Sequence, residues 1–357
     1  MDQEKVKRIW NLFLRIFGKC MLVLAETVLL AVFALYCVMF VVAKGPSPTA
    51  RDLFVLSVRE TSAAGFLADL FFTEEEIAAI ENSGGQEEVE DTDTSLIVIP
   101  DESKPNSEDG PVADEWGLID EDGDGLILES IKGEGYTGYM LVVLDPSRVV
   151  MASVPEDFGK KGYTVEQMAQ KYDAVAGINA GGFWDEGGKG HGDIPDSMVV
   201  YEGKIYHAEK GVGRKDGFVG IDDKNILHVG KFTAQDVKDK NIQYGVGFGP
   251  VLVSNGMPVQ SSNSGLNPRT AIGQRSDGAM LLLVIDGRQA TSLGVTYKDL
   301  SEIFLSYGAV NACNLDGGSS SLMWYEGEYI NNCASLLGIR PIPTTFLVLK
   351  QGAKANG

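Results

Sequence analysis

The stretch Leu281-Leu-Leu-Val-Ile-Asp-Gly-Arg288 reads as a buried strand that ends in Asp-Gly, and Asn311-Ala-Cys-Asn-Leu-Asp-Gly-Gly-Ser-Ser-Ser321 repeats the design. An unbroken apolar run fits a strand covered on both faces. A carboxylate placed directly after such a strand emerges at a sheet end, and the glycines behind it let a ligand approach the main chain. Outward from these two stretches, further runs of β-formers predict strands at Tyr139–Leu144, Ala174–Ile178, Met198–Tyr201, Ser321–Tyr325 and Phe346–Leu349. Two helices interrupt them. Thr164-Val-Glu-Gln167 is a capping box opening Val165–Tyr172, and Thr296–Tyr307 carries Leu300, Ile303, Phe304 and Tyr307 on one face before Gly308. The expected class is α+β: a mixed, mainly antiparallel sheet with a few helices, preceded by one transmembrane helix.

The strands fill residues 126–357, which form the expected folded domain. Ahead of it the composition changes. Of the chain's net charge of -20, residues 73–125 carry most, with acidic side chains throughout and Lys104 as their one base. This is expected to be a solvated acidic linker, and its Asp120–Gly125 run, DEDGDG, an acidic turn. Residues 44–72 form a juxtamembrane amphipathic segment. Residues 20–43 are apolar apart from Glu26, long enough to cross a ~30 Å hydrocarbon core. Residues 1–19 hold Lys5, Lys7, Arg8, Arg15 and Lys19, which place that end in the cytoplasm and the domain outside the cell. The lipid bilayer is thus one expected partner, and a cell membrane the expected location.

Acidity (pI ≈ 4.5) argues against nucleic-acid binding. Four cysteines exclude a disulfide scaffold, and no Cys/His cluster suggests zinc. Cys313 and Cys333 either pair or stay separate thiols. There is no G-x-S-x-G for a serine hydrolase and no nucleotide P-loop. What stands out is a set of strand ends: Asn179 with Gly181 and Gly182, Asp286 with Arg288, and Asn314 and Asp316 with Gly317, Gly318 and Ser319. Arg269 adds a guanidinium whose fork suits a phosphate, fixed behind Pro268. The loop from Gly187 to Pro195 is dense in glycine.

The segments GINAGGFWD, NPRTAIG, LLLVIDGR and NLDGGSSS, in this order, resemble the phosphodiester glycosidase family over about Gly138 to Leu349. That family includes the enzyme that uncovers mannose phosphate by removing N-acetylglucosamine, and bacterial exopolysaccharide-related proteins. The resemblance implies a membrane-anchored extracellular hydrolase acting on a sugar-1-phosphodiester of a carbohydrate or glycopolymer. The alternative is a non-catalytic carbohydrate-binding or assembly protein on the same fold. Asp286 and Asp316 are the expected catalytic carboxylates, one as nucleophile or base at the anomeric carbon. Asn179, Gly181, Gly182, Arg269, Arg288, Asn314, Gly317, Gly318 and Ser319 are the expected substrate ligands. The chemistry requires no cofactor, and a divalent cation between the two carboxylates would also serve. One departure from the family pattern is Pro195-Asp196-Ser197, where a glycine is expected.

Overall fold

The computed structural model describes residues 3–61, 64–84, 88–100, 113–184, 191–207, 217–260, 263–335 and 338–353. Parts of the acidic segment (85–87, 101–112) and of the glycine-dense loop (185–190) lie outside the described residues. The domain is built on three sheets whose pairings are antiparallel throughout. The largest runs β1 (Leu126–Gly133), β2 (Tyr136–Val143), β13 (Met280–Ile285), β12 (Arg269–Arg275), β14 (Ala309–Asn314), β10 (Val251–Ser254), β11 (Met257–Pro258). The second runs β16 (Glu328–Tyr329), β15 (Met323–Tyr325), β4 (Ala174–Asn179), β17 (Thr344–Leu349), β3 (Val149–Ser153). The third runs β6 (Lys204–His207), β5 (Val199–Tyr201), β9 (Ile242–Gly247), β7 (Phe218–Asp222), β8 (Leu227–Gly230).

The unbroken apolar run of β13 has the expected cause. Met280, Leu282 and Val284 enter a central core that all three sheets share, together with Ile178, Phe346, Val219 and Val246. Leu281, Leu283 and Ile285 face the other way, into a layer under α7 (Tyr297–Ser306) with Leu300, Ile303 and Phe304. The period-2 alternation of a strand therefore buries every residue when both faces are covered. The predicted capping box forms, Thr164 with Gln167 opening α5 (Val165–Lys171), and a second one that was not predicted, Thr296 with Asp299, opens α7. A further short helix, α6 (Ala234–Asp239), packs on the third sheet.

The N-terminal part differs from a chain of separate segments. The basic stretch and the apolar run form one helix, α1 (Gln3–Lys44), which is long and apolar enough to cross a membrane. Its last turns do not stop at a linker. Met39 and Ala43 join Val55, Leu56, Ala68, Phe71, Phe72, Ile77 and Ile80 in one apolar cluster. That cluster draws on α2 (Pro48–Arg59), α3 (Phe66–Asp69) and α4 (Glu74–Glu81).

The described part of the acidic segment, expected as a solvated linker, lies along the domain instead. Ile97 is buried against Ile226 and Val310. The Val98 N–H donates to Ser276 O at 2.8 Å. Asp114 pairs with the fully buried Arg275 at 2.7 Å, and Trp116 stacks on that guanidinium. The physical reason is that isolated apolar residues, too sparse for a periodic signal, each find a slot on a preformed surface.

Candidate active site

Three loops meet where β4 and β14 end and β12 begins. Strand β12 runs antiparallel to β14, so its start lies beside the end of β14, with Ala271 opposite Asn314. Asn179, fully buried at the end of β4, ties the loops together. Its amide N–H donates to Asp316 O at 2.5 Å. Its Oδ1 accepts from Thr270 Oγ1 at 2.7 Å and from the Leu322 N–H at 3.1 Å. These bonds build Asn179 into the frame of the site, and it is not among the residues that line the cavity between the loops. Gly181 has the same framing role, its N–H donating to Thr344 Oγ1.

Between the loops lies a cavity of about 310 Å³. Of the expected site residues, Gly182, Arg269, Arg288, Asn314, Asp316, Gly317, Gly318 and Ser319 line it. Asp286 does not. It emerges at the same end of the sheet as Asp316, since β13 and β14 both run antiparallel to β12. Its Oδ1 turns to the next loop, accepting from Asn331 Nδ2 at 3.2 Å and the Asn332 N–H at 3.0 Å. The expected pairing with Asp316, and the cation cradle it would form, is not assembled from these two residues.

Two other carboxylates share the cavity with Asp316, those of Glu60 and Asp196, and Asp196 is the one that acts on its charge. An isolated bridge from Phe183 to Pro195 and a bond from the Asp196 N–H to Gly182 O bring it there. A Cβ at Gly182 would lie 2.4 Å from Asp196 Oδ2, so any side chain there would displace that carboxylate. Burial pushes the Asp316 carboxyl up to about 7, and the neighbouring charge of Asp196 pushes in the same direction. Hydrogen bonds from Ser320 and the Gly317 N–H, and the charge of Arg340, pull the other way. A carboxyl held near neutrality in a cleft is what acid–base chemistry needs.

Opposite the carboxylates sit three guanidinium groups, those of Arg269, Arg288 and Arg340. Arg269 is only 5% exposed and already bound: to Val295 O, Gly265 O and Glu60, whose carboxylate lies 2.7 Å away. Arg288 is differently placed. Its Nε and Nη2 donate to Asn267 Oδ1, while Nη1 lies over Gly318 and makes no hydrogen bond among the described residues. Its φ of 56°, unusual for a residue with a Cβ, marks strain of the kind kept at functional positions. Burial, and then repulsion from Arg269, lower its proton affinity. Both effects would be relieved by an anion. Gly318, at φ 61°, turns the following loop so that it faces the same space. Asn314 adds a buried Oδ1 that has no partner among the described residues, an acceptor suited to a hydroxyl. Arg288→Ala is expected to raise KM about tenfold or more with little change in Tm, checked by initial rates and a thermal melt.

Glu60 was not legible as a site residue. It follows α2, far from the domain in sequence, and accepts from the Gly265 N–H at 2.9 Å and Asn267 Nδ2 at 2.9 Å as well as from Arg269. Asp196 and Arg340 were also missed. Asp196 showed only as a departure from the family pattern. Cys313 and Cys333 are separate thiols, the first buried.

Residues 172–349 match the family described as phosphodiester glycosidase. The SPbeta prophage-derived uncharacterized protein YomE of Bacillus subtilis is 37% identical over 177 residues, 47% of this chain and 27% of that protein. The human N-acetylglucosamine-1-phosphodiester alpha-N-acetylglucosaminidase is 23% identical over 226 residues, 56% of this chain and 42% of its own. The chain thus spans less than half the length of these relatives. The zebrafish enzyme's catalytic domain, solved in a form auto-inhibited by its pro-peptide, superposes with a TM-score of 0.51 at 18% identity. That likeness covers 63% of this chain and 82% of the zebrafish one.

Proposed function

Taking as premise that residues 172–349 form a phosphodiester glycosidase domain, we propose that this chain hydrolyses a glycosyl phosphodiester. The reading rests on one observation above all. A carboxyl poised near neutrality and a guanidinium whose Nη1 has no partner among the described residues line the same cavity of about 310 Å³. In the reaction the bond between the anomeric carbon and the phosphate oxygen breaks. The phosphate leaves as an anion, so it needs charge stabilisation more than protonation. Arg288 and the Gly317–Ser319 loop supply that. Ionised Asp316 attacks the anomeric carbon or takes a proton from water, and stabilises the oxocarbenium-like charge. Asn314 Oδ1 accepts from a sugar hydroxyl. We further propose that α1 spans the cell membrane with its basic end in the cytoplasm, so that the domain works outside on cell-surface glycans.

The test is release of sugar from N-acetylglucosamine 1-phosphodiesters by the purified full chain; absence of release that depends on Asp316 would refute the proposal. The pH profile adds a second check. Activity requires Asp316 ionised, so kcat/KM should rise as pH climbs through about 7. Asp196→Asn removes the repulsion that helps hold the proton on Asp316, so the same limb should move to lower pH. A limb that stays in place would show that Asp196 does not act on Asp316.

A further inference from the structure

The site is built onto the end of α1, the helix proposed above to span the membrane, and on that reading its distance from the bilayer is limited. Tyr36 and Phe40 of α1 pack on Phe71, with ring centroids 5.5 and 6.4 Å apart. Lys44 lies over the Phe72 ring at 4.4 Å. Tyr36 precedes the end of α1 by about 12 Å of helix, so Phe71 sits at the depth of the interface, with Phe66 and Leu70 exposed beside it. From there α2 leads directly to the cavity. Its 12 residues span about 18 Å. Ser57 Oγ accepts from the Leu266 N–H at 2.9 Å, Gly265 is pressed against the Ser57 backbone, and Glu60 holds Gly265, Asn267 and Arg269.

The face of α2 that ends in Ser57 and Glu60 begins with Thr49, Asp52, Leu53 and Leu56, one stripe at helical spacing. That stripe forms one wall of a second, mainly apolar groove of about 700 Å³. The α7 stripe Lys298, Ser301, Glu302 and Leu305 forms the facing wall. The groove starts at residue 49, just beyond the spanning helix, and reaches Thr296, whose neighbour Tyr297 lines the catalytic cavity. Its volume is that of a ligand site.

We propose that the substrate is a sugar joined through phosphate to a membrane lipid, with the first part of the lipid chain lying in this groove; the proposal rests on the glycosyl phosphodiester reading above. Water adds to the anomeric carbon and its proton passes by way of Asp316 to solvent. The carbon–oxygen bond to phosphate breaks, the free sugar departs, and the lipid phosphate stays in the bilayer as an anion. A fixed short height above the membrane suits such a substrate and would exclude repeats far out along a polymer.

The experiment uses the full chain in lipid vesicles with two probes, N-acetylglucosamine 1-phosphate esterified to a long-chain polyprenol or to methanol. The expected result is a kcat/KM about tenfold or more higher for the polyprenol ester. Leu305→Gln, on the facing wall of the groove, should erase much of that advantage and spare the methyl ester. Leu53→Gln should raise KM for the polyprenol ester alone. Equal kcat/KM for the two esters in the wild type, or an advantage that survives both changes, would overturn the inference while leaving the hydrolase reading intact. Failure to cleave either ester would overturn both.

Discussion

Asp316→Asn should lower turnover by about 10³-fold or more, because the residue proposed to meet the anomeric carbon loses its charge while keeping its volume. The same variant should be more stable at high pH. The folded-state carboxyl is raised to about 7 from its ordinary 3.8, so folding favours its neutral form. Between those values the folded chain keeps a proton that the unfolded chain releases, and stability falls as pH rises. Above about 7 the full cost of an ionised, enclosed carboxylate is present. Asn removes that cost, so Tm should rise by roughly 5 °C at pH 8 and hardly change at pH 4. The measurement is a pair of melts beside an activity assay. Lost activity without the pH-dependent gain would mean that Asp316 is not held near neutrality.

Arg275→Met should destabilise the fold by about 3–5 kcal/mol, the scale of breaking a buried ion pair. Arg275 is 0% exposed at the end of β12, with Nε donating to Asp277 at 3.0 Å, Nη2 paired to the same carboxylate, and Nη1 on Asp114 at 2.7 Å. The Trp116 ring lies 3.9 Å from its guanidinium carbon. Methionine keeps the packing and strands two carboxylates. Chemical denaturation should show a lower midpoint, and residues 113–118 should become cleavable by protease. A variant as stable as wild type would mean that the acidic segment rests on the surface without supporting it.

Much of the architecture could be read in advance, for a physical reason. Strands such as β13 and β17 are covered on both faces, so burial writes itself as an apolar run. Strand β12 could not be read that way. Arg269, Thr270, Gln274 and Arg275 are all buried, each satisfied by partners distant in sequence. Gln274 alone serves Leu227 N, Asn225 O and Gly278 O. Polar residues in a central strand look like a loop until those partners are known.

The site divides in the same way. Asp316 and the glycines after it were legible because a strand end followed by Asp-Gly-Gly has few other uses. The strand-end argument also put Asp286 at the right edge of the sheet. It could not tell that the carboxylate would turn to Asn331 and Asn332. Asp196 reaches the cavity through a bridge between loops, and Glu60 meets Arg269 across 209 positions. Neither relation leaves a trace in local spacing.

The shared apolar cluster of α1, α2, α3 and α4 has an evolutionary consequence. Many anchored enzymes are catalytic modules on an interchangeable leash, and gene fusion can swap one leash for another. Here the last turns of the leash help form a core, and the helix after it supplies a carboxylate to the site. Residues 36–60 are therefore inherited with the chemistry rather than with the address. On the membrane-anchored reading proposed above, a recombination joint that keeps the site intact must fall before Tyr36.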